Sequence, residues 1–273
     1  MKVPFQRLVR FEDPDGNILF GEAPAGDNLV GQQVAIYEGD KPWSLRESPS
    51  HAKVAKVICP LPASPLVYGV GLNYSKHIAE CGYPTPEYPT SFIKPPDALV
   101  GPYSDIRVSK SHPQIDYEGE FTFVVGKDAK AIESKHAADY ILGYTVGNDV
   151  TSRQWQRVPG IGTNYGKSAD GFAPIGPILV ATDVVDPDQL ELITRVNGKE
   201  RQRSGLDDLR FKAGDILAHL SRYNTIREGT VIMTGTPAGV GAFMDPPVWL
   251  KQDDVVEVEI SSIGTIKNRF LFA

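Results

Sequence analysis

Strand-like runs dominate this chain, and they do not alternate with helices. Residues 1–58 carry "RLVRF", "NILFGE" and "QVAIYEG", the first two separated by "EDPDG", whose Asp15-Gly16 favours a hairpin. Beyond the Pro-rich "CPLPASP" come "LVYGVG", "GEFTFVVG", "YILGYTVGND", "GPILVAT", "LITRV" with Asn197-Gly198 after it, "TVIMTG" and "DVVEVEI". Helical patterns are few: "SKHIAEC", "SKHAADY" and "AGDILAHLSRY". Regular βαβ alternation would build an open parallel sheet; its absence predicts a mixed α/β, β-rich roll or sandwich. We expect a small N-terminal β module over residues 1–58 and a larger domain over 59–273.

Charge limits the partners. A net charge of −6 over 273 residues, with no run of Lys or Arg, argues against nucleic acid and for a small molecule. Two cysteines, Cys59 and Cys81, are too few for a disulfide framework. No apolar stretch approaches the roughly 18 residues of a membrane span, and the N-terminus lacks a signal peptide's apolar core. The expectation is a cytoplasmic protein, with a mitochondrial location left open.

One strand carries an unusual load. In "IDYEGEFTFVVG", residues 115–126, alternation sends Ile115, Tyr117, Phe121, Phe123 and Val125 one way and Asp116, Glu118 and Glu120 the other. Same-face neighbours lie only about 6.8 Å apart, so three carboxylates repel one another unless a solvated face or a cation relieves them. Hard oxygen ligands suit Mg2+ or Mn2+, with Glu118 and Glu120 as the natural pair and Asp149 as a further acid. In "GLNYSKHIAE", Asn73 is placed to cap a helix on which His77 and Glu80 share one face. A carboxylate beside an imidazole makes a base, although such a pair also fits an exposed helical contact. Lys167 in "YGKSADGF" offers a cation to an anionic substrate, and the "TGTPAGVG" loop offers backbone N–H groups to an anion. His219 reads as a packed helix residue.

Together these motifs resemble the fumarylacetoacetate hydrolase family over about residues 66–270. The resemblance lies in "GLNYSKHIAE", "SFIKPPDALVGP", "DYEGEFTFVVGKDAK", "GYTVGNDVTSRQWQ", "GKSADGFAPIGP" and "TGTPAGVGAFMDPPVWLKQDDVVEVEI", in family order. It implies a mixed β-sandwich roll, a homodimer, and a divalent metal (Mg2+ or Mn2+, or Ca2+) held beside a 2-oxo acid, with no organic cofactor. By the same resemblance Glu118, Glu120 and Asp149 are the metal ligands. His77, Glu80 and Lys167 are then catalytic, and Arg153, Gln156 and Thr236 bind substrate. The implied activity is C–C bond hydrolysis of a 2,4-dioxo acid through an enolate. Oxaloacetate tautomerisation or decarboxylation is the alternative, and a non-catalytic 2-oxo-acid-binding protein is the reading of another class.

The long C-terminal motif is similar to the branch that includes oxaloacetate tautomerases. Where that branch has R-D-W-Q, G-Q-W and G-K-x-F-D, this chain has Gln154, Gly162-Thr163 and Ala169. Smaller residues at 162, 163 and 169 lead us to expect a roomier substrate pocket.

Overall fold

The Asp15-Gly16 turn forms, with Gly16 at φ +84° and the strands Arg7–Glu12 and Ile18–Glu22 paired on either side. In the computed structural model, which describes residues 1–26 and 28–273, this hairpin extends a large mixed sheet. From one edge the strands run Arg46–Lys53, Gln33–Glu38, Ile18–Glu22, Arg7–Glu12, Ala173–Val180, Ile141–Asn148, Gly119–Val125, Val231–Met233, Val67–Gly71 and Thr90–Lys94. The N-terminal strands join through Arg7 opposite Val180. The expected boundary at residue 58/59 lies in the connection between Lys56–Val57 and Val67–Gly71.

A second sheet orders Lys199–Gly205, Glu191–Val196, Val255–Ile260, Gly264–Phe272 and Ile106–Val108. Phe121, Phe123, Tyr144 and Val146 of the large sheet share one core with Leu192, Val258, Ile266 and Phe270 of this one. The opposite face of the large sheet packs Leu8, Val124, Leu142, Leu179 and Met233 into another core. Covered on both faces, Gly119–Val125, Ile141–Asn148 and Ala173–Val180 are buried at every residue. This is the β-rich sandwich roll expected from the sequence.

Local expectations hold in part. Ser75–Cys81 is α-helical and ends at Gly82, whose φ of 67° lets its N–H reach the carbonyls of Ile78 and Ala79. Asn73 does not cap it. Its side chain donates to the carbonyls of Phe211 and Thr234 and accepts from the Phe211 N–H, a buried tether. "SKHAADY" forms a 3-10 segment, Ser134–Asp139, with bonds from His136 to Glu133 and from Tyr140 to Ala137. At six residues it gains little from α-helix cooperativity, and Ser134 is tied to Asp215. His219 lies on the α-helix Ala213–Ser221 and stacks on Tyr88 at 6.0 Å.

Candidate active site

The strand expected over residues 115–126 is interrupted at Tyr117 and Glu118. Ile115–Asp116 pairs with Thr151–Ser152, and Gly119–Val125 enters the large sheet. At the break side chains replace the ladder: the Tyr117 N–H donates to Asp116 and the Glu118 N–H to the Asn148 side chain. Because Gly119 lies opposite Asn148, Glu118, Glu120 and Asp149 emerge at the same end of two adjacent strands. One carboxylate oxygen from each lies within 4.8 Å of the others, and all three side chains are buried. A solvated acidic face is thereby excluded.

Asp116 leaves this cluster. It accepts hydrogen bonds from the N–H groups of Gly241 and Ala242 at 2.8 and 3.0 Å and from Arg153 Nε at 2.8 Å. Arg153 also donates to Glu118 at 2.6 Å and to Gln156 at 3.1 Å. Asp116→Asn would turn an amide N–H toward donors and leave Arg153 with one carboxylate. We expect it to lower unfolding stability by about 2–4 kcal/mol in urea titration while Mg2+ binding survives, because the triad is intact.

Cations surround the triad. Lys167 Nζ donates to Glu118 at 2.6 Å, to Thr151 at 2.9 Å and to Asp149. Lys94 is wholly buried and lies 2.6 Å from Asp149 Oδ1 while donating to the carbonyls of Val150 and Phe172. Burial alone would raise the Glu118 pKa; Arg153 and Lys167 outweigh it and hold the carboxyl far below its usual range. Glu120 makes no ion pair among the described residues, and the charge of Lys167 offsets its burial only in part. Burial and the charges of Asp149 and Glu118 push it well above the usual carboxylate value.

The second group of residues comes from the short helix. His77 Nδ1 lies 2.7 Å from Glu80 Oε2, and the other Glu80 oxygen accepts from the Gly239 N–H at 2.9 Å. Gly239, at φ +103°, must be glycine: an added Cβ would meet the Arg201 carbonyl oxygen at 2.0 Å. Burial alone would lower the His77 pKa, but the bonds to Cys81 and Glu80 and the charge of Glu118 push it up to about 9. Phe243 packs edge-on against the imidazole, with ring centres 5.8 Å apart.

A cleft of about 590 Å³ joins the two groups, and the triad, His77, Lys167, Arg153, Gln156 and Thr236 all line it. Thr236 donates to the Gly119 carbonyl and accepts from Gln202, a buried residue that sequence reasoning missed. Lys94 was missed too; its only signal is a lysine ending a half-apolar run before Pro95-Pro96. Of the three residues expected to widen the pocket, Thr163 lines the cleft. Gly162 stands in open space, with no atom within 4 Å of an added Cβ, and Ala169 packs against the hydrophobic core. Any widening therefore rests on Thr163.

The donor set suits a divalent cation. Three buried carboxylates offer hard oxygens within 4.8 Å of one another, with Lys94 already 2.6 Å from Asp149 Oδ1. A cation placed there relieves the repulsion that raises Glu120, so the residues fit the group.

Over residues 66–271 the chain matches the family described as fumarylacetoacetate (FAA) hydrolase C-terminal. It is 40% identical over 286 residues to oxaloacetate tautomerase fahd2, mitochondrial, of Xenopus laevis, covering 96% of this chain and 89% of that protein. Its fold matches 5-carboxymethyl-2-hydroxymuconate delta-isomerase from Mycobacterium smegmatis with a TM-score of 0.84 and 32% identity, over 98% of this chain and 100% of that one. A fumarylacetoacetate hydrolase from Exiguobacterium antarcticum matches with a TM-score of 0.82 and 31% identity, over 98% and 99%. Fold likeness and the buried triad together support a metal-dependent enzyme. The chain belongs to the fumarylacetoacetate hydrolase family, close to its oxaloacetate tautomerase branch.

Proposed function

We propose that this protein interconverts the enol and keto forms of a short 2-oxo dicarboxylic acid, with oxaloacetate as the reference substrate. The observation that carries this reading is the near full-length likeness to the Xenopus tautomerase. The site chemistry agrees with it. Tautomerisation needs one proton moved between carbon and solvent and one enolate held meanwhile, whereas hydrolysis also needs a water molecule aimed at a distal carbonyl.

Glu118, Glu120 and Asp149 are the residues that would hold a divalent cation, Mg2+ or Mn2+ fitting the hard oxygen set. When bound, the cation supplies positive charge to the 2-oxo oxygen and so makes the adjacent C–H more acidic. His77 carries the proton to or from carbon 3, and its bond to Glu80 fixes the imidazole's orientation. The bonds to Cys81 and Glu80 hold the imidazole protonated up to about pH 9, so in the ketonising direction it is the proton donor to carbon 3. Lys167 clamps Glu118 and Asp149 and keeps its charge beside the developing enolate. Thr236 lines the cleft beside Glu120, which accepts the Gly235 N–H at 2.7 Å.

The test follows the decay of enol absorbance when oxaloacetate enol is added to protein with Mg2+. Ketonisation should accelerate in proportion to protein and return to the background rate with a chelator. No acceleration, together with cleavage of acetylpyruvate, would replace this reading with the hydrolysis expected from the sequence.

A further inference from the structure

The cleft holds three guanidinium or ammonium groups, and two are fully engaged. Each nitrogen of Arg153 donates to a side chain: Nε to Asp116, Nη1 to Gln156 and Nη2 to Glu118. Lys167 donates to three side-chain oxygens, those of Glu118, Asp149 and Thr151. Arg157 differs. Its backbone N–H closes the helix Arg153–Gln156 against the carbonyls of Arg153 and Gln154, which fixes its place one turn beyond Arg153. Its side chain lines the same cleft and, among the described residues, makes no ion pair or hydrogen bond.

Charge balance says what this free cation faces. With every carboxyl ionised, as binding of a cation requires, Asp116, Glu118, Glu120 and Asp149 set four negative charges against the three positive ones of Lys94, Arg153 and Lys167. A divalent cation turns the remaining single negative charge into a single positive one, and the carboxylate of a 2-oxo acid cancels that. The ion pair of His77 with Glu80 adds nothing net. A second carboxylate on the substrate would leave an uncompensated charge in a half-enclosed cleft, unless a further cation met it there.

We propose that Arg157 binds the distal carboxylate of the substrate and so selects dicarboxylic over monocarboxylic 2-oxo acids. The inference rests on the proposed function for the position of the 2-oxo group beside the triad, and extends it to the other end of the molecule. A planar guanidinium meets a carboxylate through two parallel N–H donors, which a lysine ammonium cannot reproduce.

The test separates binding from turnover. Mg2+-loaded wild type, Arg157→Met and Arg157→Lys are titrated calorimetrically with 3,3-difluoro-oxaloacetate, which cannot enolise, and with its 4-methyl ester, which lacks the distal charge. Wild type should bind the diacid on the order of 10-fold to 100-fold more tightly than the ester. Arg157→Met should bring the two affinities within about twofold by weakening the diacid alone, and Arg157→Lys should keep part of the preference. An unchanged preference in Arg157→Met, or an equal loss for both ligands, overturns the assignment. Failure of the tautomerase reading shows itself differently: wild type would bind the diacid with the expected preference yet leave oxaloacetate ketonisation at its background rate.

Discussion

Replacing Glu120 with glutamine is expected to abolish metal binding and turnover while raising the melting temperature of the metal-free protein. Its carboxyl is buried among like charges, and its pKa stands well above the usual value because burial, Asp149 and Glu118 all disfavour its ionised form. Glutamine removes that repulsion and keeps an acceptor for the Gly235 N–H. A gain of about 1–2 kcal/mol corresponds to a rise of roughly 2–6 °C for a chain of this size. Glu118→Gln should lose metal and activity equally but move stability the other way. Glu118 is clamped at 2.6 Å by both Arg153 and Lys167, so neutralising it leaves two buried cations short of a partner. Scanning calorimetry in EDTA with Mg2+ titrations of both variants checks the pair. Two shifts of the same sign would contradict the electrostatic account of the triad.

The second large effect is at His77. His77→Ala should slow enol–keto interconversion by on the order of 100-fold to 10,000-fold, the usual share of a positioned proton carrier, while Mg2+ affinity stays within about twofold. The reason is spatial: the imidazole is bonded to Glu80 and Cys81 and held by Phe243, and none of the triad oxygens hydrogen-bonds to it. Glu80→Gln should lose less, because the ring keeps its position while the charge that steadies its protonated form is gone. Undiminished turnover in His77→Ala, with metal bound, would remove His77 from the proton-transfer role.

Much of this arrangement was legible in the chain because the informative residues are local. Glu118 and Glu120 belong to one alternating run, and His77 and Glu80 to one helical turn. What was not legible depended on distant partners. Alternation placed Asp116 with the two glutamates, but pairing with Thr151 breaks the strand and turns Asp116 toward Arg153 and the Gly241 loop. Lys94 and Gln202 gain their roles only when the strands Thr90–Lys94 and Lys199–Gly205 are laid beside the site. Arg46–Lys53 escaped notice for another reason: "RESPSHAK" is a mostly exposed edge strand with no apolar face to betray it. Asn73 shows the limit of capping rules, since a buried asparagine facing three backbone groups finds better partners than a helix end.

The register that sets Gly119 opposite Asn148 has an evolutionary consequence. The three acids are locked to a buried ladder in which a slip of one residue would turn every side chain to the wrong face, so mutation there is punished at once. Arg157 and Thr163 sit outside that ladder, on a segment from residue 157 to 164 with no sheet pairing. A lineage can rewrite that segment, and with it the shape and charge of the molecule admitted, while the inherited reaction centre is left untouched.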